Sequence, residues 1–155
     1  FLTHDEFMGA ALFAWLAGAF DIFDGKIARK YNLSTEFGIQ LDSYADFLSF
    51  VIVPAMFIYF AIFDGKESFY NMALIAFVFI YYVISGLRRL IQFNINANEG
   101  EVEKYFTGIP TPLGAILLWV VYLIYLTSYV NEYFVLGSII IIGYLLNSKI
   151  KIKHL

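Results

Sequence analysis

Five long apolar stretches make up most of this chain, and the polar residues between them are few and clustered. The stretches cover about residues 4–31, 35–63, 67–93, 110–129 and 132–148. Each comes close to or exceeds the ~20 residues that carry an α-helix across a bilayer. In the first, Gly9, Ala10, Ala11, Ala14, Ala17 and Gly18 give a small-residue surface. Such a surface lets helices approach closely in lipid, so this helix is predicted to lie inside a bundle. The turn YNLSTEF precedes the second helix, with Ser34 or Thr35 able to cap it, and Pro54 predicts a kink within it. DGKES leads to an aromatic-rich third helix that is predicted to face lipid in part. FNINANEGEVEKYFTG, the longest polar segment, follows it. Pro110 and Pro112 suit the start of the fourth helix. SYVNEY leads to the fifth, and KIKIKHL closes the chain as a basic tail. The pattern predicts an all-α integral membrane protein, a polytopic helical bundle with five transmembrane helices in one domain, residues 1–155.

Composition supports this and removes other classes. Charged residues make up 15% of the chain, against ~25% in a soluble domain. There is no cysteine, which excludes a disulfide framework and a thiolate metal site. If the turn at 30–37 is cytoplasmic, then Lys26, Arg29, Lys30, Arg88, Arg89, Lys104, Lys149, Lys151 and Lys153 all lie on or near that side. Lys66 alone faces the other. This asymmetry fits the positive-inside rule and predicts a multi-pass protein of the cell membrane. The basic tail suits anionic membrane lipid rather than nucleic acid. His4 and His154 sit near the ends and are read as solvated.

Residues 21–46 break the apolar pattern. Asp21 and Asp24 are three apart, and Asp42 and Asp46 are four apart, so on helices each pair shares a face. An aspartate near mid-membrane costs roughly 2.5–3.5 kcal/mol on insertion scales, and the cluster therefore needs a compensating partner. With oxygen ligands alone, Mg²⁺ or Mn²⁺ is favoured over Zn²⁺. The same acids could instead be helix-end residues paired with Lys26, Arg29 and Lys30, or could line a cation pathway in a membrane transporter.

The spacing resembles the signature of the CDP-alcohol phosphotransferase family. Asp21, two residues, Asp24-Gly25, two residues, Ala28-Arg29, eight residues, Gly38, three residues, Asp42, three residues and Asp46 match it at eight fixed positions. The resemblance implies a membrane enzyme of phospholipid synthesis that holds two divalent metals per site and releases CMP from a CDP-linked lipid. It implies metal ligation by Asp21, Asp24, Asp42 and Asp46, with Asp46 also the general base. Asp21, Gly25, Ala28, Arg29, Gly38 and Asp42 would meet the nucleotide and diphosphate. Family members commonly form homodimers and carry a further helix upstream. Residue 1 is not Met, so an upstream sixth helix is expected to be missing from this chain.

A second stretch narrows the resemblance. GLRRLIQFN, then Lys104 and YFTGIPTPLGA, is similar to the phosphatidylserine synthase branch, which has an Arg…PheAsn stretch followed by a PheXGlyXProXPro turn. That implies CDP-diacylglycerol or CDP-archaeol as donor and L-serine as acceptor at a cytoplasm-facing site. Arg88, Arg89, Asn94, Lys104, Thr107 and Gly108 are the candidate acceptor contacts, since arginine binds carboxylates in bidentate fashion. Glycerol 3-phosphate or an inositol phosphate remains an alternative acceptor. Arg88 and Arg89 could equally be lipid-anchoring charges at a helix end.

Overall fold

The computed structural model describes residues 36–65, 69–98, 105–148 and 151–153, together with Gly9, Leu12 and Leu16, which are helical. These three lie within the expected first helix. Asp21, Asp24, Gly25, Ala28, Arg29 and Lys104 lie outside the described residues.

The second predicted helix is one helical rod with two changes of winding. It begins as α1 (Glu36–Phe47), passes through a π-helical turn at Leu48–Ile52, returns to α geometry in α2 (Val53–Ile58) and widens again at Tyr59–Phe63. Pro54 explains the first change. Its nitrogen has no hydrogen to offer the carbonyl four residues back, and the winding just before it loosens so that the Val53 N–H reaches Leu48 O instead. The second wide turn closes with the Asp64 N–H donating to Tyr59 O at 3.1 Å. The expected kink therefore takes the form of a π-bulge.

Helix α3 (Phe69–Asn98) runs about one turn past its expected end and takes in FNINAN. Helices α4 (Thr111–Leu126) and α5 (Glu132–Leu146) follow. Pro110 and Pro112 flank the first residue of α4, as helix starts favour. Asn131 caps α5 by accepting the Phe134 N–H at 3.1 Å. One short ladder was not predicted: β1 (Tyr105–Thr107) pairs antiparallel with β2 (Lys151–Lys153). The basic tail thus folds back on the loop before α4.

Val51, Ile58, Ile62, Val78, Tyr82, Leu118, Val135, Ile139 and Leu146 form the most deeply buried part of the core, where the helices meet. Phe57 anchors an aromatic cluster, with Trp119 at 4.7 Å and Tyr122 edge-on at 4.9 Å between ring centroids. Gly86 allows α3 to press against the π-turn. A methyl there would sit 2.6 Å from Val51 Cγ1.

The opposite faces are apolar and exposed. Phe77, Ile80, Ile84 and Ile141 are each more than half exposed, far more greasy surface than a water-soluble monomer presents. Among the described residues, two helical stretches are long and apolar enough to cross a membrane, Gln40–Phe63 and Asn71–Ile95, with mean hydropathy 2.1 and 1.8. Helices α4 and α5 are apolar but shorter, roughly 22–24 Å at 1.5 Å per residue. This is a helical membrane architecture.

Candidate active site

The helices alternate in direction, and this gathers the chemistry at one end of the bundle. There α1 begins, α3 ends, α4 begins and α5 ends. Gly38, Asp42 and Asp46 fall at successive four-residue steps of α1, hence on one face. Asp42 is exposed and Asp46 is half-buried. Ser43, between them, accepts a hydrogen bond from Asn94 Nδ2 on α3 at 2.9 Å.

Arg88 and Arg89 separate clearly. Arg88 is exposed, while Arg89 is only 6% exposed, and its Nε donates to the Ile109 carbonyl at 3.2 Å. Ile109 in turn donates its N–H to Leu145 O at 3.2 Å. Arg89 therefore fastens the turn before α4 to α3, while the same turn is fastened to the end of α5. Gly108 makes this possible. It has φ +85°, and it sits against the last carbonyls of α5 so closely that a Cβ would lie 2.6 Å from Leu146 O and 3.0 Å from Ser148 O. Asn147 ties the same end of α5 to α3, its Nδ2 donating to Ser85 O at 3.1 Å.

A pocket of about 110 Å³ opens between these parts, lined by Asp46, Arg89, Leu90, Phe93, Pro110, Thr111 and Pro112. It joins one carboxylate and one guanidinium within apolar walls, a combination suited to a small polar acceptor. Larger hollows lie away from the aspartates. One of about 220 Å³ sits between Phe63, Asn71 and Glu132, and a groove of about 440 Å³ runs along Met56, Tyr59 and Phe79. Size is therefore a poor guide to the site in this molecule.

Of the residues singled out in sequence, the structure brings together Gly38, Asp42, Asp46, Arg89, Asn94 and Gly108 at this end. Thr107 lies in β1, in register with Lys151. The sequence reading missed Ser43 and Thr111. Ser43 looks like an ordinary helix serine until Asn94 is seen beside it. Thr111 is 4% exposed, and its place between two prolines was the one available signal.

Among the described residues no three carboxylate or imidazole side chains converge as a metal site. Asp42 and Asp46 bring two hard oxygen donors to one helix face, which suits Mg²⁺ or Mn²⁺. The other two expected ligands, Asp21 and Asp24, lie outside the described residues.

Comparison with known proteins agrees with the motif. Residues 1–146 match the CDP-alcohol phosphatidyltransferase family, and the chain belongs to that family. It is 35% identical over 146 residues to the CDP-diacylglycerol–serine O-phosphatidyltransferase of Helicobacter pylori, covering 88% of this chain and 58% of that one. To the enzyme of the same name from Bacillus subtilis it is 30% identical over 154 residues, 99% of this chain and 79% of the relative. To the archaetidylserine synthase of Methanothermobacter thermautotrophicus it is 34% identical over 125 residues, 79% and 48% of the two chains. The chain thus spans a little over half of the Helicobacter relative's length.

Proposed function

We propose that this chain is the catalytic part of a phospholipid-synthesising transferase that moves the phosphatidyl or archaetidyl group of a CDP-linked lipid to the hydroxyl of L-serine and releases CMP. The observation that carries this reading is the pocket itself. It unites the two stretches whose sequence was most specific, Asp46 from the aspartate motif and Arg89 with Pro110–Pro112 from the second. The names of the three relatives, all serine-using, support the choice of acceptor.

In this mechanism the serine hydroxyl gives its proton to Asp46 as its oxygen attacks the lipid-linked β-phosphorus. A new O–P bond forms, the P–O bond to the nucleotide breaks, and CMP departs with that electron pair. Asp21, Asp24, Asp42 and Asp46 would hold two Mg²⁺ or Mn²⁺ ions, which stabilise charge building on the diphosphate. Arg29 would help neutralise the departing phosphate. Gly25, Ala28 and Gly38 would serve the nucleotide by their small size. Arg89 offers the serine carboxylate a positive charge at the pocket wall, and exposed Arg88 serves the lipid headgroup region. The site faces the cytoplasm, where the Lys and Arg residues gather. Five helices of this chain span the bilayer, and the enzyme works as a homodimer.

The test is CMP release by purified protein supplied with CDP-diacylglycerol. L-serine, glycerol 3-phosphate or inositol phosphate is added singly, with Mn²⁺ or Mg²⁺ present or chelated. Release is expected with serine and divalent metal, and is expected to stop on chelation. Release with a phosphorylated acceptor alone would move the chain to another branch. Tight metal binding with no release under any condition would favour a cation pathway.

A further inference from the structure

The end of α1 that carries the aspartates is only lightly held by apolar packing among the described residues, with Phe47 half-buried against the core. Among the residues whose burial is described, none before Val51 on this helix is buried, and Leu41, Tyr44 and Leu48 are each more than half exposed. The first fully buried residue is Val51, inside the π-turn. A helix seated most deeply below a widened turn has more room to rotate and tilt above it than a helix buried along its whole length. That freedom would move Asp42 and Asp46 together.

One interhelix side-chain contact sits where it would remove this freedom. Asn94 Nδ2, on the last part of α3, donates to Ser43 Oγ at 2.9 Å, one residue after Asp42 and three before Asp46. Polar bonds of this kind between helices are a recurrent means of fixing geometry in bilayers, where apolar side chains give little preference between neighbouring helix and lipid. Asn94 lies five residues beyond Arg89 on α3, and Arg89 fixes the opposite wall of the pocket through Ile109. A single helix therefore positions both sides of the site.

We infer that Asn94 is a positioning residue: its bond to Ser43 sets the rotational register of α1 and so aligns Asp42 and Asp46 with the pocket. This rests on the serine-transferase reading for its kinetic part, and it changes the role of Asn94 from acceptor contact to latch. An acceptor contact would raise KM for serine when removed, whereas a latch lowers kcat with KM little changed.

The experiment compares Asn94→Ala, Ser43→Ala, the double variant and Ser43→Thr in the full chain. Each alanine variant is expected to lower kcat about tenfold with serine KM within twofold. The double variant is expected to be no slower than either single, because the two substitutions remove one interaction. Ser43→Thr, which keeps the hydroxyl, is expected to retain at least half the activity. Multiplying effects in the double variant, unchanged kcat, or a rise in serine KM alone would overturn the latch while leaving the serine reading intact. A second measurement stands without turnover. The chain has no native cysteine, so nitroxides can be placed at Tyr44→Cys and Tyr129→Cys, both strongly exposed and in α1 and the α4–α5 turn respectively. Pulsed EPR is expected to give a narrow distance distribution that broadens with Asn94→Ala. An identical distribution in the variant would overturn the latch whatever the activity assay shows. Failure of serine-dependent CMP release in the parent, with the broadening still present, would overturn the acceptor assignment and leave the latch in place.

Discussion

Replacing Asp46 with asparagine is expected to cut serine-dependent CMP release by about 10²–10⁴-fold, the usual contribution of a positioned general base. Asparagine matches aspartate in size and keeps one oxygen able to ligate, so the substitution chiefly removes the proton acceptor. Asp46 is half-buried on α1 and lines the pocket together with Thr111. Little core packing depends on it, and the melting temperature of the detergent-solubilised protein should therefore stay near that of the parent. Initial rates at saturating CDP-lipid and serine, measured beside thermal unfolding, check both halves of this expectation. A variant that keeps most of its rate would remove Asp46 from the proton transfer.

The second large effect is structural. Gly108→Ala is expected to destabilise the protein by roughly 2–4 kcal/mol, adding left-handed backbone strain to displacement of a fixed neighbour. At φ +85° an alanine is already strained, and its methyl would lie 2.6 Å from the Leu146 carbonyl. That oxygen belongs to a helix end and cannot swing aside as a side chain would. The turn must shift, taking the Ile109 carbonyl away from Arg89 and opening the pocket wall at Pro110–Pro112. Activity should fall together with stability, and the melting temperature should drop by roughly 5–15 °C. Gly65→Ala is the matched comparison. It has φ +72° but nothing within 4 Å of an added methyl, so it bears only the backbone strain of ~1–2 kcal/mol. Thermal unfolding of the two variants side by side separates conformational strain from close approach. Equal losses in both would mean that the contact with α5 carries no weight.

These two positions differ in how visible they are in sequence. Asp46 is legible because its partners lie at short, fixed spacing, and a helix turns that spacing into a shared face. Gly108 is legible only as part of a GlyXProXPro turn. Its need for glycine comes from the end of α5, nearly forty residues away. The same contrast runs through the fold. Helix starts were readable where proline or a short polar turn marks them, as at Pro110 and SYVNEY, in which the structure shows Asn131 as the cap. The end of α3 was misjudged because FNINAN looks like loop; Asn94 spends its amide on Ser43 and the helix continues past it. The β1–β2 ladder joins Tyr105–Thr107 to Lys151–Lys153, a pairing across two helices that no local pattern reveals. Arg88 and Arg89 are identical in sequence terms. Only the turn of the helix shows that Arg88 is exposed while Arg89 is buried against Ile109.

In the proposed reaction, serine oxygen attacks a lipid-linked phosphorus and displaces CMP. Serine labelled with ¹⁸O in its hydroxyl tests this directly. Incubated with CDP-diacylglycerol and Mn²⁺, the purified protein is expected to give a lipid product that carries the label and an equal amount of CMP that carries none. Lipid without the label, or CMP released with no serine joined to lipid, would contradict the claim.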